Sequence, residues 1–171
     1  MNKVLVFLVV GAAAAGGWYG AVGGKKVTQA HVQSLYHDYM SAFDRGDGIA
    51  VCDLFSADVR GKFKSTSRTM PVNEVVSKAS SCAAVDNFLA SKAKLEQATG
   101  RELHTNVGYT IHNITVAPDG KSATAEVLLE FRIGTAEGAL LDMRSTQVDV
   151  IKRNWGKSQF VQSDGSVSFF R

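Results

Sequence analysis

Proline is scarce, with two in 171 residues, and so is cysteine, again with two. Charged residues make up 20% against 45% hydrophobic, and no long block of one sign occurs. That composition excludes a proline-rich or charge-driven disordered protein and describes an ordinary globular chain. The formal net charge is +3, with lysine and arginine scattered. So weak a field argues against nucleic acid as a partner. No glycine-rich phosphate loop, nucleophile elbow or His/Glu metal pattern is present. Two cysteines without a neighbouring histidine pair make no zinc site, so neither metal nor cofactor is expected. Internal repeats are absent too.

What is present first is an uncharged stretch, "VLVFLVVGAAAAGGWYGAVGG", from Val4 to Gly24. A bilayer-spanning helix needs about 20 apolar residues, and aromatic residues such as Trp18 and Tyr19 gather near membrane interfaces. The same stretch reads as a signal peptide: Lys3, an apolar Val4 to Val10, then the small residues Ala12 to Ala14. Residues 1–26 are thus an anchor or a signal, and 27–171 a single domain. Lys3 with the amino terminus balances Lys25 and Lys26, so flanking charge does not set orientation. Either reading puts the domain across the membrane. The expected location is the periplasmic side of a bacterial inner membrane, tethered by one span, or the free periplasm after cleavage.

Cys52 and Cys82 suit that compartment. An exported chain meets oxidising conditions, and a bridge closing about 30 residues stabilises by roughly 3 to 4 kcal/mol. The alternative is two buried thiols packing as small hydrophobes.

Val27 to Phe43 has the helical period, with Val32, Leu35, Tyr36, Tyr39, Met40 and Phe43 on one face and Thr28 as cap. Gly46-Asp47-Gly48 ends it, and Asp47 caps a short second helix from Ile49 to Phe55. Ala57 to Lys64 alternates as a strand. A third helix is expected from Pro71, running through Cys82 and Val85 until Gly100 stops it. The period then changes. Tyr109 to Val116, Ala123 to Ile133, Leu140 to Lys152 and Ser158 to Gln162 read as strands joined by short turns. Val167 to Phe170 adds a further pairing or hangs as a tail. Such strands predict an antiparallel sheet.

Three helices followed by a meander of long strands predicts an α+β fold, a curved antiparallel sheet wrapping the first helix. "YMSAFDRGDGIAVCDLFSADV", from Tyr39 to Val59, resembles the first helix, glycine-aspartate break, second helix and strand entry of the NTF2-like superfamily, also described as SnoaL-like or cystatin-like. "PDGKSATAEV" and "VDVIKRNWGKSQFV" resemble its last hairpins. The resemblance implies that the second helix closes the narrow end of a cone. Cys52 would then reach Cys82 and pin two helices.

Enzymes of this superfamily carry an acid/base group inside the cone, often Asp or His, with Tyr or Asp as partner. Tyr36 and Tyr39, on the apolar helix face, are the first candidates here. His112 shares a strand face with Ile114 and Val116 and is a candidate base, or a satisfied rim residue. Asp142, Arg144 and Asp149 lie on one long strand. Asp142 and Arg144 share a face and either line a polar mouth or pair across strands. Tyr39 and Arg144 are the ligand-binding candidates.

With no legible catalytic set, the leading expectation is a tethered or exported module that binds a protein partner or assembles. An NTF2-like domain after one span is similar in plan to the VirB8-like components of type IV secretion machines, and an immunity-type inhibitor is a related option. The alternative is a small-molecule pocket enzyme, an isomerase or dehydratase using a cavity Tyr with His or Asp. A homodimer through the open sheet face is compatible with both.

Overall fold

The computed structural model describes residues 23–65, 73–135 and 138–170. Nearly all of the expected anchor or signal segment lies outside these residues. Among the described residues, no helix is long and apolar enough to cross a membrane. A short 3-10 turn, Gly23–Lys25, leads into α1 (Gln29–Asp44) and α2 (Gly48–Asp53). Two strands follow, β1 (Phe55–Ser65) and β2 (Asn73–Val76), then α3 (Lys78–Thr99). The chain ends in β3 (His104–Val116), β4 (Ser122–Thr135), β5 (Gly138–Asn154) and β6 (Lys157–Phe170). The strands form one sheet in the order β2-β1-β6-β5-β4-β3.

Local chemistry sets the helix ends. The Thr28 hydroxyl accepts from the His31 backbone N–H at 3.3 Å, and His31 Nδ1 accepts from the Thr28 N–H at 3.2 Å, a reciprocal capping box. Val27 and Val32, both buried, staple the chain entry across that cap. The two glycines after α1 do different jobs. Gly46 takes the left-handed conformation, φ 68°, that ends the helix. Gly48 opens α2 against α3, where a Cβ would stand 2.8 Å from Asp86 Oδ1. Between them Asp47 caps α2, accepting from Ala50 N–H at 2.9 Å.

The structure corrects four expectations. The third helix begins at Lys78 rather than Pro71, because Ser77 and Ser80 form the stronger start, a second capping box. Asn73–Val76, read as its first turn, pairs instead with β1 as an edge strand. Two strands therefore precede α3, and the helices do not all come first. The sheet is also mixed: β1 runs parallel to β6, which the intervening strands and α3 make room for. Of the two options for Val167 to Phe170 the structure has the pairing: β6 is one strand from Lys157 to Phe170, its C-terminal half held opposite β5 from Val167↔Ser145 to Phe170↔Asp142.

The core lies between α1 and the concave sheet face. Val32, Leu35 and Tyr36 meet Ala123, Ala125, Val127, Ile151 and Phe160, all buried. Small residues on β4 let the helix seat closely. Each large apolar side chain buried here contributes about 1.5–3 kcal/mol. A second cluster joins Ala42, Val51 and Val85 where α1, α2 and α3 meet. Cys52 and Cys82 are bonded there, their Cα atoms 5.3 Å apart, so α2 is covalently tied to α3.

Candidate active site

A cavity of about 220 Å³ opens beyond the apolar core, between α1, the inner faces of β5 and β6, and the start of α3. Its aromatic lining comes from Tyr36 and Tyr39 on α1, Phe55 and Phe63 on β1 and Phe160 on β6. Gln147, Asp149 and Ser163 supply polar groups, and Glu74 and Ser80 stand on the β2 and α3 side. An apolar cavity with a few convergent polar groups is the usual form of a small-molecule site.

Strand alternation creates the polar wall. On β5 the inward positions run Ser145, Gln147, Asp149, Ile151, all buried. Asp149 has no solvent exposure. Its Oδ2 accepts from the Tyr36 hydroxyl and from Gln147 Nε2, the latter at 2.6 Å. Gln147 Oε1 in turn accepts from the Ser145 hydroxyl at 3.4 Å. Oδ1 of Asp149 has no hydrogen-bond partner among the described residues. A buried polar atom left alone is rare and calls for an explanation.

Burial raises the Asp149 pKa above the ordinary aspartate range, against the help that Ser163, Tyr36 and Gln147 give the ionised form. The nearby Asp164 charge adds to the rise. Burial and these donors thus act in opposite directions on the carboxyl. In its neutral form, with Oδ2 receiving two donors, Oδ1 is the oxygen left to carry the acid proton and offer it to a ligand. Tyr36 stays neutral, its pKa raised by burial and then by Asp149. Its ring stacks on Tyr109, centroids 5.6 Å apart, and meets the Phe160 edge at 5.3 Å, which fixes the hydroxyl. Tyr39 is pushed up to about 12, by burial first and Asp149 second. The arrangement can hold a proton, donate it to a ligand oxygen and steady the carboxylate that results.

Of the residues expected from sequence, Tyr36 and Tyr39 come together in the cavity wall. His112 does not join them. A register shift between Ile111 and Asn113 puts a bulge at this point, and His112 is exposed while Ile111 and Ile114 pack on the core. Asp142 and Arg144 lie on the opposite sheet face from Asp149. Asp142 accepts from Arg132 at 2.6 Å, and Arg144 pairs with Glu130 at 3.0 Å while lying over the Phe170 ring. Both are cross-strand pairs in direct register, and neither lines the cavity. Gln147 and Ser163 are the site groups that sequence reasoning missed, and Asp149, named with Asp142 and Arg144 on its strand, has no role of its own in that reading. The available signal was a polar i, i+2 series on a long strand, Ser145-x-Gln147-x-Asp149.

No protein-family model matches the sequence, and no curated protein matches it. Solved structures do. ActVI-ORFA from Streptomyces coelicolor superposes with a TM-score of 0.57 at 20% identity, over 81% of this chain and 95% of that one. An NTF2-like protein from Cytophaga hutchinsonii gives 0.55 at 16% identity, over 82% and 98%. A ketosteroid isomerase-like protein from Erwinia carotovora atroseptica gives 0.51 at 14%, over 83% and 95%. At these identities the likeness concerns architecture alone, and by it this chain has the NTF2-like fold.

Proposed function

We propose that the chain is a small-molecule pocket protein in which Asp149 exchanges a proton with its ligand. The observation that carries this is the buried carboxyl in the cavity wall, with two donors on Oδ2 and none of the described residues on Oδ1. The ligand is compact, mostly apolar and neutral, and carries a carbonyl or hydroxyl oxygen for the Oδ1 proton. The aromatic lining suits a flat or cyclic skeleton, and a negative charge would find no cation among the described lining residues. The chemistry is isomerisation or dehydration. Asp149 gives its proton to the ligand oxygen, Tyr36 and Gln147 hold the carboxylate formed, and that carboxylate takes a proton from a neighbouring carbon. In dehydration the C–O bond breaks and water leaves; in isomerisation a double bond moves. The Cys52–Cys82 bond supports an oxidising compartment, and the uncharged Val4 to Gly24 stretch supports export, tethered or cleaved.

The test is a thermal-shift and ligand-observed NMR screen of small cyclic ketones and alcohols. Binders should protect the wild type. Asp149→Asn should keep binding within a few-fold and lose turnover. If no compound of this class binds, or if Asp149→Asn turns over normally, the reading fails.

A second reading, docking of a protein partner, has one observation in its favour. A largely apolar hollow of about 190 Å³ lies between α3 and the β4–β5 end, and its Leu95 and Leu140 are exposed. Charge reversal at neighbouring Lys92, followed by crosslinking in cells, distinguishes it: loss of a crosslinked protein supports docking, and an unchanged pattern removes it.

A further inference from the structure

We propose that the end of the domain bearing the β5–β6 turn is a membrane-contact face, with Trp155 seated among lipid headgroups. The inference rests on the tethered reading of the N-terminus.

The tether enters the domain at this end. The Gly24 carbonyl accepts from Gly156 N–H at 3.0 Å, and the Val27 N–H donates to the Gly120 carbonyl at 2.8 Å. The last residue of the uncharged stretch is therefore clipped to the β5–β6 turn, and the third residue after it to the β3–β4 turn. Three residues span at most about 10 Å. A headgroup layer is about 5–8 Å thick on each side of the hydrocarbon core. A span ending at Gly24 holds both turns at the membrane surface.

Trp155 stands at the rim of a shallow hollow beside α1, with most of its ring in solvent. It is 70% exposed and takes φ 50°, a left-handed conformation that bulky residues avoid. Asparagine is the favoured residue at the first position of such a two-residue turn. The fold thus holds an indole out into solvent at a backbone cost, beside the point where the apolar segment joins. Amphipathic indoles are the side chains that favour the headgroup level.

Charge agrees. Lys25, Lys26, Lys121, Lys152 and Lys157 are exposed around the two turns. Lys157 is near Asp53 at 3.5 Å and Lys121 near Asp119 at 3.9 Å, exposed pairs that solvent largely screens. The balance favours anionic headgroups over neutral ones.

Trp18 and Trp155 are the only tryptophans, so Trp18→Phe leaves one reporter in the full-length chain. The variant is reconstituted into vesicles of phosphatidylcholine with phosphatidylglycerol, and of phosphatidylcholine alone, with and without lipids brominated near the headgroup. The expected result is flotation with the vesicles, blue-shifted Trp155 emission and loss of intensity to the brominated lipid, larger with phosphatidylglycerol. Changing Lys25 and Lys26 to Gln should shrink that difference. Flotation with water-like, unquenched emission overturns the contact face and leaves the tether standing. Failure to float removes the tether, and the contact face with it.

Discussion

The inner face of β5 has two halves, both buried and built differently. At one end Ile151 packs with Val32, Leu35, Ala123 and Ala125 in an apolar cluster. Two residues earlier the same face turns polar, through Asp149, Gln147 and Ser145. Both halves exclude water, so burial alone does not distinguish core from site. The difference is whether the buried group is content. Ile151 gains from leaving water. Asp149 is held away from its preferred ionised state, with one oxygen unpartnered among the described residues. The apolar half stabilises the scaffold, and the polar half uses that stability to hold an acid of raised pKa inside a cavity.

Breaking the apolar half should have the largest effect. Ile151→Ala removes a wholly buried side chain and should cost about 2–5 kcal/mol, read by urea unfolding. Opening the Cys52–Cys82 bond, by changing both residues to Ala, should cost roughly 3 to 4 kcal/mol, with a matching fall in Tm when the wild type is reduced. Asp149→Asn sharpens the comparison because its sign reverses: at neutral pH the variant should be more stable than the wild type. A raised folded-state pKa means that the native state keeps its proton when the unfolded chain has lost it. The wild type therefore has this contribution in full below the ordinary value of 3.8 and loses it as pH rises from there toward the raised folded value. The gain from Asp149→Asn should shrink and vanish as pH falls through that range. Thr28→Ala, at the α1 start, should cost about 1 kcal/mol, seen as a small shift in the unfolding midpoint. Tyr39→Phe should move stability by less than about 1 kcal/mol while weakening any ligand that reaches the Tyr39 hydroxyl.

How much of this was legible follows the same division. The α1 cap at Thr28, the Gly46 break, the Asp47 cap and the Gly100 stop are all local devices, readable within a few residues, and the structure has each of them. The parallel pairing of β1 with β6 joins positions about a hundred residues apart, such as Phe55 and Phe160, and no local signal announces it. The β2 strand hid behind Val75 and Val76, which fit a helix period equally well. His112 was misplaced by a bulge that alternation cannot foresee. Asp149 is the instructive case. By hydropathy Val148 and Val150 claim the inner face of β5, yet Val148 is exposed and Asp149 buried. The inversion holds because Tyr36 lies across from Asp149, 113 residues earlier in the chain. A strand read alone cannot show that its polar face has partners.

The most direct test is the carboxyl carbon shift of Asp149, followed by NMR across the acid-to-neutral range and assigned by comparison with Asp149→Asn. The account predicts a carboxyl that keeps its proton above the ordinary aspartate range and titrates later than an exposed aspartate. A carboxyl that ionises around 3.8, like an exposed aspartate, would contradict it and leave the cavity without its acid.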